Sequence, residues 1–169
     1  MTQTMIPEDD KVYLKRYLAQ YYNAKRRQDI LKKRLAEIRR ELDHPSAPSP
    51  QLDRGPVAQN YNSMPPLLIK LAEIEDRINQ QVEIEAKVVL EVMKTLDFLP
   101  AESTEKEIME LRHIDCMPWN EIMRQTHFSR AQCFRYYNAG LERLYGYKKV
   151  RQSITQYRDK VERTEKDGY

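Results

Sequence analysis

The chain has 169 residues, 33% of them charged and 40% hydrophobic, with 4 glycines against 9 prolines. No G-x-G-x-x-G or G-K-[ST] loop can be written, which argues against Rossmann and P-loop enzymes, and the scarcity of turn glycines argues against sandwiches. Two cysteines, Cys116 and Cys133, fit a reduced, cytosolic setting better than a disulfide scaffold.

The formal net charge of +3 hides a block pattern. Lys11 to Arg40 carries 11 basic and 2 acidic residues, Leu67 to Asp97 carries 4 and 7, and His127 to Arg151 carries 6 and 1. Such blocks pair with each other, with nucleic acid, or with both. The opening MTQTMIPEDD has neither the basic region nor the apolar stretch of a signal peptide. The apolar cluster around Val88 to Met93 is broken by Glu91 and is too short for a membrane span. A soluble cytoplasmic protein with no membrane partner is expected.

The first predicted element runs from about Glu8 to Leu42, with Pro7 before it and the acids Glu8, Asp9 and Asp10 in its first turn. Leu14, Tyr17, Tyr21, Ala24, Gln28, Leu31, Leu35, Ile38 and Leu42 recur at alternating steps of three and four, a heptad seam with one polar intrusion. Residues 43–66, DHPSAPSPQLDRGPVAQNYNSMPP, hold six prolines and no apolar period, so a linker is expected. A second helix is predicted over Leu67 to Leu96. Its seam begins Leu67, Leu71, Ile74 and Ile78, then shifts register to Val82, Val89 and Val92, with Val88 beside them, and Leu96. Together residues 8–97 read as a helical hairpin or coiled coil. Their direction of pairing is open, and a homo-oligomer through the same helices is possible.

Phe98-Leu99-Pro100 ends that helix, and Ser103 or Thr104 caps the next. Three short helices are predicted: Thr104 to Arg112, Pro118 to Gln125 and Ser129 to Leu144, forming a head over 98–146. Ile108, Leu111 and Ile114 give the first an inward face, and Trp119, Ile122 and Met123 serve the second. Ser129 and Gln132 have the spacing of a capping box, S-x-x-Q, which starts the third helix sharply. On that helix Cys133, Tyr136 or Tyr137, Gly140, Leu141 and Leu144 should face inward. Arg130, Gln132, Arg135 and Asn138 face outward, and these are the side chains that read base edges in a major groove. Lys148, Lys149 and Arg151 follow, where the chain should pass a phosphate backbone. Residues 147–169 read as a polar tail, either a frayed helix or disordered.

The stretch HIDCMPWNEIM, SRAQCF, AGLERL resembles the promoter −35-reading domain of bacterial sigma factors. From about Leu14 to Leu144 the chain is similar to the ArpU/RinA-type phage and prophage late transcriptional regulators. The shared features there are an N-terminal helical region, a linker with NYNSMPP, a second helix ending LDFLP, and a sigma-like helix-turn-helix. The sequence departs from the pattern at Cys116, where Gly is usual, and at Met123, where Ala is usual. A left-handed residue at Cys116 would be mildly strained. The resemblance implies that Arg130, Ala131, Gln132 and Arg135, on the helix capped by Ser129, contact bases, with Phe134 beside them touching a thymine methyl or a sugar. It implies an activator of phage or prophage late genes, acting in the bacterial cytoplasm at the nucleoid and positioning host RNA polymerase.

Other constellations are weaker. His113, Cys116, His127 and Cys133 could be written as a zinc quartet, but no C-x2-C accompanies them. The same residues lack an oxyanion-hole glycine for a catalytic dyad. Tyr13, Tyr17, Tyr21 and Tyr22 could stack on single-stranded bases, although heptad spacing makes Tyr17 and Tyr21 core residues. The expectation is an all-α protein, no enzyme, with no cofactor or metal, binding double-stranded DNA. The rival is a small terminase-like DNA-packaging subunit, and a purely structural coiled-coil adaptor is a third reading.

Overall fold

The computed structural model describes residues 6–44 and 64–166, and all regular structure among them is helical. Most of the predicted 43–66 linker, including NYNS of NYNSMPP, lies outside the described residues. The elements are α1 (Glu8–Leu18), α2 (Gln20–Asp43), α3 (Met64–Leu96), α4 (Thr104–His113), α5 (Trp119–Thr126), α6 (Arg130–Gly146) and α7 (Lys148–Lys166). No helix among the described residues is long and apolar enough to cross a membrane.

The first predicted helix is divided at Ala19, whose backbone N–H bonds back to Lys15 and Tyr17 while the Gln20 amide donates to the Tyr17 carbonyl at 2.9 Å. The chain forms two compact units. One comprises residues up to Asn23 together with those from Ala86 onward, and the other is Ala24–Glu85. This grouping differs from the expected boundary at 97. The reason is a shared apolar core: Leu14, Tyr17 and Leu18 of α1, with Val92 and Leu96 of α3, pack against Ile108, Met109, Tyr137, Leu141 and Leu144.

Of the two readings of the polar tail, the helical one holds, but the helix is packed into the core. Residues 148–166 form α7, and its Val150 and Ile154 are buried in that same core. Val150, Ile154, Tyr157 and Val161 recur at helical spacing, so four residues suffice to seat an otherwise polar helix. Polar ties accompany them. The Tyr145 hydroxyl donates to Asp10 at 2.6 Å, Arg158 meets the same carboxylate at 3.4 Å, and the Tyr17 and Tyr157 rings meet edge to face at 5.8 Å. Tyr17 is thus a core residue, its hydroxyl 3.3 Å from that of Thr95. Gly140 permits the approach of α4 and α6, since a Cβ there would meet Met109 Cγ at 3.2 Å.

Within Ala24–Glu85, α2 and α3 run in opposite directions. The Gln81 side chain donates to the Ala24 carbonyl at 3.1 Å, and Arg39 pairs with Glu75 at 2.8 Å. The α2 seam holds: from Tyr22 to His44 the positions that are not exposed are Ala24, Gln28, Leu31, Leu35, Ile38 and Leu42. On α3 the expected register shift fails at Val82, while its later positions Val89, Val92 and Leu96 are buried or half-buried as expected. Leu67, Leu71, Ile74, Ile78, Gln81, Glu85, Val88, Val92 and Thr95 keep the three-four alternation and are buried or half-buried, whereas Val82 is 46% exposed. Most of the seam's aliphatic side chains are half-buried, as expected when two helices alone cover one another.

Candidate nucleic-acid interface

The candidate interface is built by α4, α5 and α6. Ser103 caps α4, accepting from the Lys106 N–H at 3.2 Å, and Lys106 bridges to Asp97 at 2.9 Å. The turn into α5 passes through Cys116, whose φ of 57° is left-handed, the conformation glycine adopts at no cost. Two bonds hold that turn: Met117 N–H to the Leu111 carbonyl at 2.9 Å, and Arg112 Nη1 to the Met117 carbonyl at 2.8 Å. Pro118 stands at the N-cap position of α5, one residue before the predicted first turn. A second left-handed residue, His127, ends α5 and turns the chain into Phe128 and Ser129.

Both halves of the capping box form. The Gln132 N–H donates to Ser129 Oγ at 3.3 Å, and the Ser129 N–H donates to Gln132 Oε1 at 2.9 Å. Beneath the turn Leu111, Ile122 and Cys133 are buried, with Met117, Trp119, Met123 and Phe128 packed against them. On α6 the inward residues are Cys133, Tyr137, Gly140, Leu141 and Leu144, which settles the Tyr136 or Tyr137 alternative for Tyr137.

Arg130, Ala131, Gln132 and Arg135 are exposed on the first two turns of α6, and Asn138 is half-buried one turn on. Several of the candidate residues are engaged within the chain, Ser129 and Gln132 through the capping box. Gln132 has its side-chain carbonyl committed to the cap, which leaves its amide hydrogens to face outward. Phe134 is half-buried and stacks on Trp119 with ring centroids 4.5 Å apart, under the Arg130 guanidinium at 5.6 Å. Its ring therefore braces Trp119 and Arg130. The Arg135 guanidinium lies 5.4 Å from the Tyr136 ring, which orients it along the helix surface. Lys148 and Lys149 are exposed in the first turn of α7, beyond the end of α6, and Lys149 borders a separate cavity.

Trp119 is half-buried. Besides Phe134 it meets Tyr137 edge-on at 5.3 Å and the Arg112 guanidinium at 5.4 Å. Arg112 is a supporting residue that sequence spacing did not reveal, because its partners depend on the left-handed turn at Cys116. Beneath them His113 is buried, its Nε2 3.1 Å from the Tyr137 hydroxyl. Burial, helped by the neighbouring Arg112 charge and opposed by a bond to the Leu18 backbone, lowers His113 to about 4. Burial pushes the Tyr137 phenol up to about 12. Cys133 lies in the small cluster with Leu111 and Ile122, whereas His113 stacks on Tyr137 of the larger one, and no group of three or more His, Cys, Asp or Glu among the described residues could hold a metal ion.

The chain has no match among known protein families, curated proteins or solved structures.

Proposed function

We propose that this protein binds double-stranded DNA sequence-specifically through α6 and regulates transcription, as an activator of phage or prophage late genes. The observation that carries the reading is the exposed set Arg130, Ala131, Gln132 and Arg135 on the first two turns of a helix with a closed capping box. The first turns of a recognition helix are the part that enters a major groove, and arginine there reads guanine O6 and N7. Gln132 contributes its amide hydrogens, and Ala131 leaves room for a thymine methyl. Lys148 and Lys149 act as backbone contacts that hold the duplex without reading it. Contact with host RNA polymerase belongs to the same proposal and rests on the sigma-like resemblance of residues 105–144.

The test is selection of bound fragments from randomised duplexes, followed by footprinting on the enriched site. The reading expects one enriched motif protected in a single major-groove segment per α6. Uniform enrichment with no motif would reject sequence-specific regulation.

The incompletely buried seam of α2 and α3 favours the packaging reading to one extent: it leaves apolar surface for a ring of chains. Light scattering separates the two, since a ring of about eight or more chains fits a small terminase subunit and a monomer or dimer fits the regulator.

A further inference from the structure

Arg130 and Arg135 each rest on an aromatic ring that rests in turn on a second ring. The Arg130 guanidinium lies over Phe134 at 5.6 Å, and Phe134 packs on Trp119 with centroids 4.5 Å apart. The Arg135 guanidinium lies over Tyr136 at 5.4 Å, and Tyr136 packs on Phe128 at 5.3 Å. Trp119 and Phe128 both pack against the small buried cluster of Leu111, Ile122 and Cys133. Two ring relays thus run from the core beneath the turn to two exposed cations.

Neither guanidinium is in an ion pair among the described residues, whereas Arg39, Arg77, Arg143 and Arg158 are. Arg112, Arg151 and Arg158 also lie over rings, but each donates to an oxygen of the chain. Arg130 is the first residue of α6, at the positive end of the helix, in a first turn with no acidic residue. Helix stability alone disfavours a cation there. Attraction to the ring offsets that cost and restricts a side chain that otherwise samples many rotamers.

Such ordering serves reading more than holding. A phosphate accepts a point charge from many directions, whereas guanine O6 and N7 take two N–H groups from one fixed fork. An arginine ordered beforehand loses less freedom when it docks. The gain therefore falls on the bidentate contact and is seen as discrimination between bases.

We infer that Phe134 and Tyr136 are positioning residues that set base preference, each holding one arginine poised for a guanine. This assignment rests on the DNA-reading proposal for α6 and gives it a target, a site with one guanine for Arg130 and one for Arg135.

Anisotropy on the selected duplex, and on duplexes with single G·C to A·T exchanges, gives the discrimination at each base pair. Phe134→Leu keeps an apolar side chain against Trp119 and removes the ring face. It should reduce discrimination by about two- to fivefold at the pair that Arg130→Ala also relaxes, with the salt slope unchanged. Phe134→Tyr keeps the ring and should keep the discrimination. In an Arg130→Ala background Phe134→Leu should add no further loss, which a merely structural role would not produce. Tyr136→Leu repeats the test through Arg135 if Phe134→Leu lowers the Tm. Full discrimination by both leucine variants, or equal losses on selected and scrambled duplexes, overturns the inference and leaves sequence-specific binding standing. A wild type that selects no motif overturns both.

Discussion

Trp119 meets Phe134, Tyr137 and Arg112, so one indole couples α4, α5 and the start of α6. Because it is half-buried, Trp119→Ala should cost about 3 kcal/mol, the lower end for aromatic truncation. It should also loosen Phe134 and with it Arg130. Chemical denaturation followed by circular dichroism checks the first effect. An unchanged midpoint would mean the ring is only a surface contact. His113 makes a pH prediction at the same scale. Its folded value lies near 4, below the ordinary 6.5, so between these pH values the unfolded chain takes up the proton first. The stability from neutral His113 is therefore complete above about pH 6.5 and is lost as pH falls toward 4, by about 3 kcal/mol in all. Melting curves of wild type and His113→Gln from pH 7 to 4 should converge toward the acid end. Parallel curves would show that His113 is not held neutral.

Along α2 and α3 the seam was legible where it is aliphatic and misread where it is polar. Nine seam positions on α2 and its approach follow the sequence period, yet on α3 the apolar Val82 drew the reading away from Gln81 and Glu85. Helix geometry keeps one face inward whatever residue occupies it, and Gln81 is tolerated because its amide finds the Ala24 carbonyl. Glu85 is not so well served. Its Oε1 is buried without a hydrogen-bond partner, and desolvation raises its carboxyl above the ordinary value, with Lys32 opposing. A raised acid weakens the fold when ionised, so this penalty is present above its folded value and is relieved as pH falls through it. Glu85→Leu should raise the neutral-pH stability of the Ala24–Glu85 unit by about 1 kcal/mol, by removing the unsatisfied group. Differential scanning calorimetry at pH 7 and 4 checks it. A stabilisation as large at pH 4 would assign the gain to packing alone. The α7 helix offers a further element test. Ile154 is 2% exposed, and Ile154→Ala should cost about 2–4 kcal/mol. No loss would return 148–166 to the status of a tail.

For the whole molecule, the all-α class and the α4–α6 element order were legible because caps and apolar periods are local signals. Ser103, Ser129 with Gln132, and Pro118 mark helix starts within a few residues of sequence. The grouping into units was not legible. A helix's period shows which face is buried and not what buries it, so nothing local pairs Leu14 and Leu18 with Leu141 or Ile154. The same holds for the candidate site. The outward residue types on α6 were readable, whereas the engagement of Phe134 by Trp119 and of Gln132 by its own cap depends on packing and turn geometry.

The central claim is that α6 reads bases and the start of α7 holds the backbone. Fluorescence anisotropy of labelled duplexes, selected and scrambled, over several salt concentrations tests it directly. Arg135→Ala should cost about 1–3 kcal/mol on the selected site and relax preference at one base pair. Lys148→Ala with Lys149→Ala should weaken all duplexes alike and reduce the salt slope by about 2. Equal loss on selected and scrambled duplexes for Arg135→Ala would contradict the account, because that residue would then touch phosphate and α6 would not be the reading helix.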